Sequence, residues 1–240
     1  MKLIKPILKG CSLLLAAALI FSCDDDDLCI RGEGDVETRV VNLDSFEGVK
    51  VNGDSKVYVR KGAQQLVEVK GQPNVLDELE TEVSNGIWQL EIDRCLRSHK
   101  TVEVFITVPE FRHAEINGDG SIELEENFEA AEFQALLNGS GSIKALTVAD
   151  KVISRVNGSG YIDLGGEALQ HDAFISGSGN IRAFDLPTKT TTVQISASGN
   201  AEVTVSETLD VNISGSGNVY YKGDPTITTQ ISGSGKVIKR

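Results

Sequence analysis

Ser176-Gly-Ser-Gly-Asn-Ile181, set beside Ser214-Gly-Ser-Gly-Asn-Val219, decides how this chain folds. The same short motif occurs seven times between Ile116 and Arg240. The other copies are Asn117-Gly-Asp-Gly120, Asn138-Gly-Ser-Gly141, Asn157-Gly-Ser-Gly160, Ser196-Ala-Ser-Gly199 and Ser232-Gly-Ser-Gly235. Its second position falls at Gly118, Gly139, Gly158, Gly177, Ala197, Gly215 and Gly233, a nearly even spacing that shortens slightly toward the end of the chain. A period of about 20 with glycine at a fixed place is the mark of a solenoid, in which each repeat stacks on the one before.

Working outward from the motif, the residue before it is Ile116, Leu137, Val156, Ile175, Ile195, Ile213 or Ile231. Two residues past its last glycine stand Ile122, Ile143, Ile162, Ile181, Ala201, Val219 and Val237, then a mostly polar residue, then an apolar one again. Apolar positions two apart are strand periodicity, and no helical spacing of three and four is present. Each repeat therefore reads as strand, Gly-x-Gly corner, strand and a second turn such as Gly165-Gly166, Leu186-Pro187 or Gly223-Asp224-Pro225. Copies stacked about 4.8 Å apart make an all-β, single-stranded parallel β-helix with about 18–21 residues per coil. Glycine is required at the corner because a Cβ would forbid the turn and meet the next coil, and Ala197 marks a corner that tolerates one.

Composition agrees: aromatic residues are 5% and methionine occurs once, which suits a narrow core of Val, Ile and Leu. Residues 28–113 resemble an irregular version of the same construction. Gly32 and Gly53 repeat the step from Gly118 to Gly139, and alternating strands surround Val49-Lys-Val51, Val57-Tyr-Val59 and Val102–Val108. Asn85-Gly86 reads as a tight turn, and Asn74–Val83 hints at helix. The expected organisation is 1–22 export signal, 23–39 tether, and 40–240 one β-helix, irregular over 40–113 and regular over 114–240.

Residues 1–22 carry Lys2, Lys5 and Lys9 ahead of an apolar run from Ser12 to Phe21, too short to span a bilayer. The run ends in Ile20-Phe-Ser-Cys23, which resembles a bacterial lipobox. Cys23 would then carry the lipid that anchors the chain to a membrane; an ordinary signal peptide is the alternative. Asp24–Asp27 read either as a solvated linker or as an acidic lipoprotein export signal to the outer cell surface, with a periplasm-facing location as the alternative. Loss of the three lysines would take the formal charge from −12 to −15, which argues against nucleic acid as a partner. Cys29 and Cys95 remain as a candidate disulfide in an oxidising compartment, or as two free thiols.

Catalytic and metal templates are not met. His99, His113 and His171 are isolated and read as surface or satisfied structural residues. No P-loop or zinc spacing occurs, and Asn117-Gly-Asp-Gly-Ser121 lacks the acidic closing ligand of a calcium loop, so no cofactor and no metal is expected. The outward column Glu123, Lys144, Asp163, Arg182, Glu202, Tyr220 alternates in sign, as cross-strand pairing does. Asp163 and Glu202 on either side of Arg182 keep a glycan-active enzyme, lyase or hydrolase, as the alternative. The corner residues Ser178, Asn180, Ser198, Asn200, Ser216 and Asn218 read first as a hydrogen-bonded structural column and second as a strip facing a glycan. The last coil, ending at Val237-Ile-Lys-Arg240, suggests an open solenoid end able to pair with a second copy.

Phe46-Glu-Gly-Val-Lys-Val51, Thr81–Gly86 leading into Trp88-Gln-Leu90, Val108-Pro109 and the recurring Ser-Gly-Ser-Gly-Asn together resemble the head GIN domain family of auto-transporter adhesins, over about residues 40–222. The resemblance implies that the β-helix is right-handed and sits on a bacterial lipoprotein or surface protein with an adhesive or structural role. It carries no catalytic residues to transfer.

Overall fold

The computed structural model describes residues 29–240, so the export signal, Cys23 and Asp24–Asp27 lie outside the described residues. Seventeen strands form one continuous sheet wound into a parallel β-helix, and a separate pair of strands joins Cys29–Arg31 to Cys95–Ser98. In the regular half, Phe128–Gly139, Ser142–Gly158, Tyr161–Ile175, Asn180–Ile195 and Asn200–Gly215 each travel most of the way round a coil. Each pairs in parallel with the next, so that Ile143, Ile162, Ile181, Ala201, Val219 and Val237 stand in one register column. Apart from Val237, which packs partly buried against the core, every member is fully buried. Burying an isoleucine contributes roughly 1.5–3 kcal/mol relative to leaving it in water, a gain this column makes at Ile143, Ile162 and Ile181.

The second turn differs from expectation at Gly165-Gly166 and Leu186-Pro187, where it is a bend inside a paired strand, whereas Gly223-Asp224-Pro225 is the expected turn between Asn218–Lys222 and Thr226–Gly233. The bend also absorbs the uneven repeat length. Where a longer coil meets a shorter one, the pairing passes from Ala183↔Val203 to Pro187↔Thr204 and from Thr188↔Val205 to Thr190↔Thr208. Those bulges take up the difference in length, and Pro187, which has no N–H to give a ladder, sits at one of them.

The irregular half stacks in a different order from its sequence. Strands Gly48–Asn52 and Lys56–Lys61 form a rung held between Ile87–Leu90 with Glu103–Val108 on one side and His113–Gly118 with Ser121–Leu124 on the other. The chain therefore leaves this rung at Lys61, builds the rung beneath it, and returns only at His113, pairing Asn117 with Asn52. The excursion includes antiparallel Leu66–Gly71, which lies against Glu103–Val108 and is itself covered by Glu37–Val40. The helix is only Pro73–Leu76, and Asn85 (φ 54) and Gly86 (φ 75) make the expected tight turn. Gly32 is not a coil corner: it follows the small two-stranded sheet, so its repeat-like distance to Gly53 is coincidence. Large side chains gather in this half and the coil that follows, where Trp88, Phe111, Phe128 and Phe133 are fully buried.

Candidate ligand-binding surface

At each corner two consecutive backbone N–H groups donate to a single carbonyl on the coil below. Ser159 and Gly160 donate to the Gly139 carbonyl at 3.0 and 3.2 Å, Ser178 and Gly179 to that of Gly158 at 2.9 and 3.0 Å, and Ser216 and Gly217 to that of Ala197 at 3.0 and 3.1 Å. This close approach is what demands glycine. A Cβ on Gly158, whose φ is +143°, would lie 2.2 Å from the Gly139 oxygen. Ala197 is accommodated because its φ is not positive: among the described residues Asn85 is the one non-glycine residue with a positive φ.

The corner residues form two side-chain ladders. On one, Asn117 Nδ2 donates to Asn52 Oδ1 and Asn138 Nδ2 to Asn117 Oδ1, each at 2.9 Å. On the other, Asn180 Oδ1 accepts from the amide and side chain of Asn200 at 3.2 and 3.1 Å, and Asn200 Oδ1 accepts from those of Asn218 at 3.1 and 3.2 Å. The six strip residues Ser178, Asn180, Ser198, Asn200, Ser216 and Asn218 are thus brought together. The asparagine oxygens of the first two rungs are occupied by the next rung, while the three serines stay exposed, Ser216 bonded to Ser234.

The second ladder stands in a different column, on the far side of the Gly-x-Gly corner, while the first stops at Asn138 and its column continues as Asn157, Ser176 and Ser196. There Asn138, Arg155, Asn157, Phe174, Ser176, Gln194 and Ser196 line an open groove of about 460 Å³. Arg155 lies over Phe174, its register partner on the next coil, with the guanidinium carbon 4.6 Å from the ring centroid.

Glu123, Lys144, Asp163, Arg182, Glu202 and Tyr220 do stand in register. Lys144 bonds Glu123 at 2.8 Å, which with nearby Asp163 holds the ammonium pKa above its ordinary value. Arg182 does not bridge Asp163 and Glu202; it rests on the Tyr161 ring at 4.6 Å.

His171 departs from expectation. It is fully buried inside the helix, its Nε2 2.8 Å from Ser154 Oγ and its Nδ1 without a partner. Burial lowers its pKa from 6.5 to about 4, a shift that neighbouring Asp172 opposes. A signal was available: its register column holds Phe133, Val152 and Leu209, all inward. His99 lies 3.5 Å from Asp54 and His113 3.3 Å from Glu115. Among the described residues no three metal-ligating side chains converge. Cys29 and Cys95 are joined by a disulfide.

A profile of the family "Putative auto-transporter adhesin, head GIN domain" matches residues 45–225. No curated protein matches the chain. A solved structure from Bacteroides fragilis, named a "putative adhesin", is 21% identical with a TM-score of 0.80, covering 88% of this chain and 100% of that one. Another from Parabacteroides distasonis, named a "putative lipid binding protein", is 24% identical with a TM-score of 0.76, covering 88% and 99%. A second Parabacteroides distasonis structure, also named a "putative adhesin", is 22% identical with a TM-score of 0.69, covering 88% and 99%. These likenesses establish the shared fold.

Proposed function

The chain belongs to the head GIN domain family of adhesins, and from that premise we propose that it is a non-catalytic binding module of the bacterial cell envelope, tethered by a lipid on Cys23. The observation that carries the reading is the regular outward face. Polar side chains repeat at strand spacing along open columns, and the charges on them are mostly settled against neighbours, as Lys144 is by Glu123. Such a face suits contact with an extended surface. The family name supports a surface or envelope location, and the disulfide supports an oxidising compartment. The acidic run after Cys23 supports export to the outer face. No helix among the described residues is long and apolar enough to cross a membrane.

The last described rung, Thr226–Gly233 with Lys236–Lys239, is largely exposed, Ile231 to 41%. In this reading it is where a second copy pairs. The alternative of a glycan-active enzyme rests on the register Asp163, Arg182, Glu202.

Protease shaving of intact cells, beside adhesion of cells expressing the chain or its Cys23→Ala variant, tests the proposal. Digestion at the surface and loss of adhesion with the anchor are expected. Polysaccharide turnover abolished by Asp163→Asn or Glu202→Gln would replace the binding reading with the enzymatic one.

A further inference from the structure

We propose that the groove at the end of the first asparagine ladder binds an acidic saccharide, with the sugar carboxylate held by Arg155; this rests on the binding reading above and names its ligand class. Three observations converge there. The first is a cation without a carboxylate. The chain carries 35 acidic side chains, and Arg39, Arg60 and Arg112 are ion-paired with them, whereas Arg155, like Arg182 and Arg240, is stacked on an aromatic ring. Arg155 is exposed and makes no ion pair among the described residues. Its guanidinium is held over Phe174 instead, which fixes the plane at small cost and leaves the N–H edge free. A planar fork with free N–H groups matches a carboxylate in two parallel hydrogen bonds, which an ammonium cannot do.

The second is uncommitted polar chemistry. Upstream, Asn52, Asn117 and Asn138 bond one another; downstream, Asn180, Asn200 and Asn218 do. Beyond Asn138 in the first column, the side chains of Asn157, Ser176 and Ser196, with Gln194 beside them, have no hydrogen-bond partner among the described residues. Amides and hydroxyls around a stacked ring are what a polyol needs: donors and acceptors for its hydroxyl groups, and an apolar edge for its C–H surface. The third is size. About 460 Å³ lies within the few-hundred to thousand Å³ range of small-ligand sites, and an open groove admits a chain segment as well as a chain end.

Charge narrows the class further. Arg155, the one cation lining this groove, can neutralise one carboxylate, while the field of a protein of net charge −12 repels a dense polyanion. A sparsely charged glycan, with a uronic or sialic acid among neutral sugars, fits; a heavily sulfated one does not.

The test measures binding of the detergent-solubilised full chain to sialyl-lactose, to a glucuronate-containing trisaccharide and to their neutral counterparts. We expect binding of at least one acidic sugar, weakened about tenfold or more by Arg155→Gln, as loss of a charged hydrogen-bonded pair gives. Phe174→Ala, which removes the stacking surface, should weaken it as well. Arg182→Gln, a stacked arginine outside the groove, should leave it unchanged, and melting curves verify that each variant folds. Equal binding of acidic and neutral sugars, or insensitivity to Arg155→Gln and Phe174→Ala, overturns the proposal. If no acidic sugar binds while cells displaying the chain still adhere, this site falls and the binding reading stands; if adhesion is also absent, both fall.

Discussion

The irregular half and the regular half build the same rung by opposite means. Between Phe128 and Gly235 each coil follows its neighbour in sequence, and every ladder partner lies one repeat away. Before that, the rung at Gly48–Lys61 is closed only when the chain comes back to it at His113, and it is finished with antiparallel strands, a hairpin and a disulfide. The difference teaches where the architecture needs specific devices. A coil in mid-stack has a neighbour to satisfy each ladder edge, so small side chains suffice. An end coil must be covered, and covering takes Trp88, Phe46 and Phe111, together with strands running the other way.

The largest expected effect tests whether corner spacing governs the stack but not the cap. Gly158→Val combines a positive φ with a Cβ 2.2 Å from the Gly139 carbonyl and should cost about 4 kcal/mol or more, by overpacking plus backbone strain. Gly53 has a positive φ but a Cβ there meets nothing within 4 Å, so Gly53→Ala should cost only the backbone strain, about 1–3 kcal/mol. Urea unfolding of the two variants makes the comparison; equal costs would show that the close approach is not what selects glycine.

Next comes the staple confined to the irregular half. Cys29→Ser/Cys95→Ser opens a 66-residue separation, for which chain entropy gives a loss of up to about 4 kcal/mol. The loss should appear in hydrogen exchange as early opening of Glu37–Val40 and Leu66–Gly71, with the coils beyond Phe128 protected. Uniform loosening of the whole stack would mean that the two halves unfold as one unit.

The third prediction concerns the interior of the stack. His171 titrates near 6.5 unfolded and near 4 folded, so the unfolded chain takes up its proton first. Its contribution is therefore complete above about pH 6.5, declines as the pH falls, and by about pH 4 has lost about 3 kcal/mol. Comparing wild type with His171→Leu between pH 7.5 and 4.5 isolates this share from that of the carboxylates; parallel curves would place His171 in contact with water. Smallest is the ladder itself: Asn200→Ala should cost about 1 kcal/mol and Ser198→Ala almost nothing.

What the sequence made legible follows the same division. Fixed spacing of Gly118 to Gly233 specifies both the coils and their register, because partners one repeat apart have matching neighbours. The cap was illegible because its pairings join unlike segments: nothing in Gly48–Asn52 states that Ile87–Leu90 lies on one side and His113–Gly118 on the other. The likeness of Asn52-Gly53-Asp54 to Asn117-Gly118-Asp119 was the available hint, while Gly32 at the same spacing was a false one. At the surface, the hydrogen-bonded use of Asn180, Asn200 and Asn218 could be read from stacking. The groove could not, since it arises where the ladder residue changes from asparagine to serine and leaves Arg155 beside uncommitted partners.

The corner in which two N–H groups share one carbonyl has a final consequence, for evolution rather than for stability. Every coil in the regular half offers acceptors on one side and donors on the other, and the offer is the same at each step. Duplicating or deleting a whole repeat therefore leaves a junction that already fits, so the molecule can lengthen or shorten in increments of one strand spacing, about 4.8 Å. Height becomes a heritable variable, adjusted by copy number without redesign of any contact.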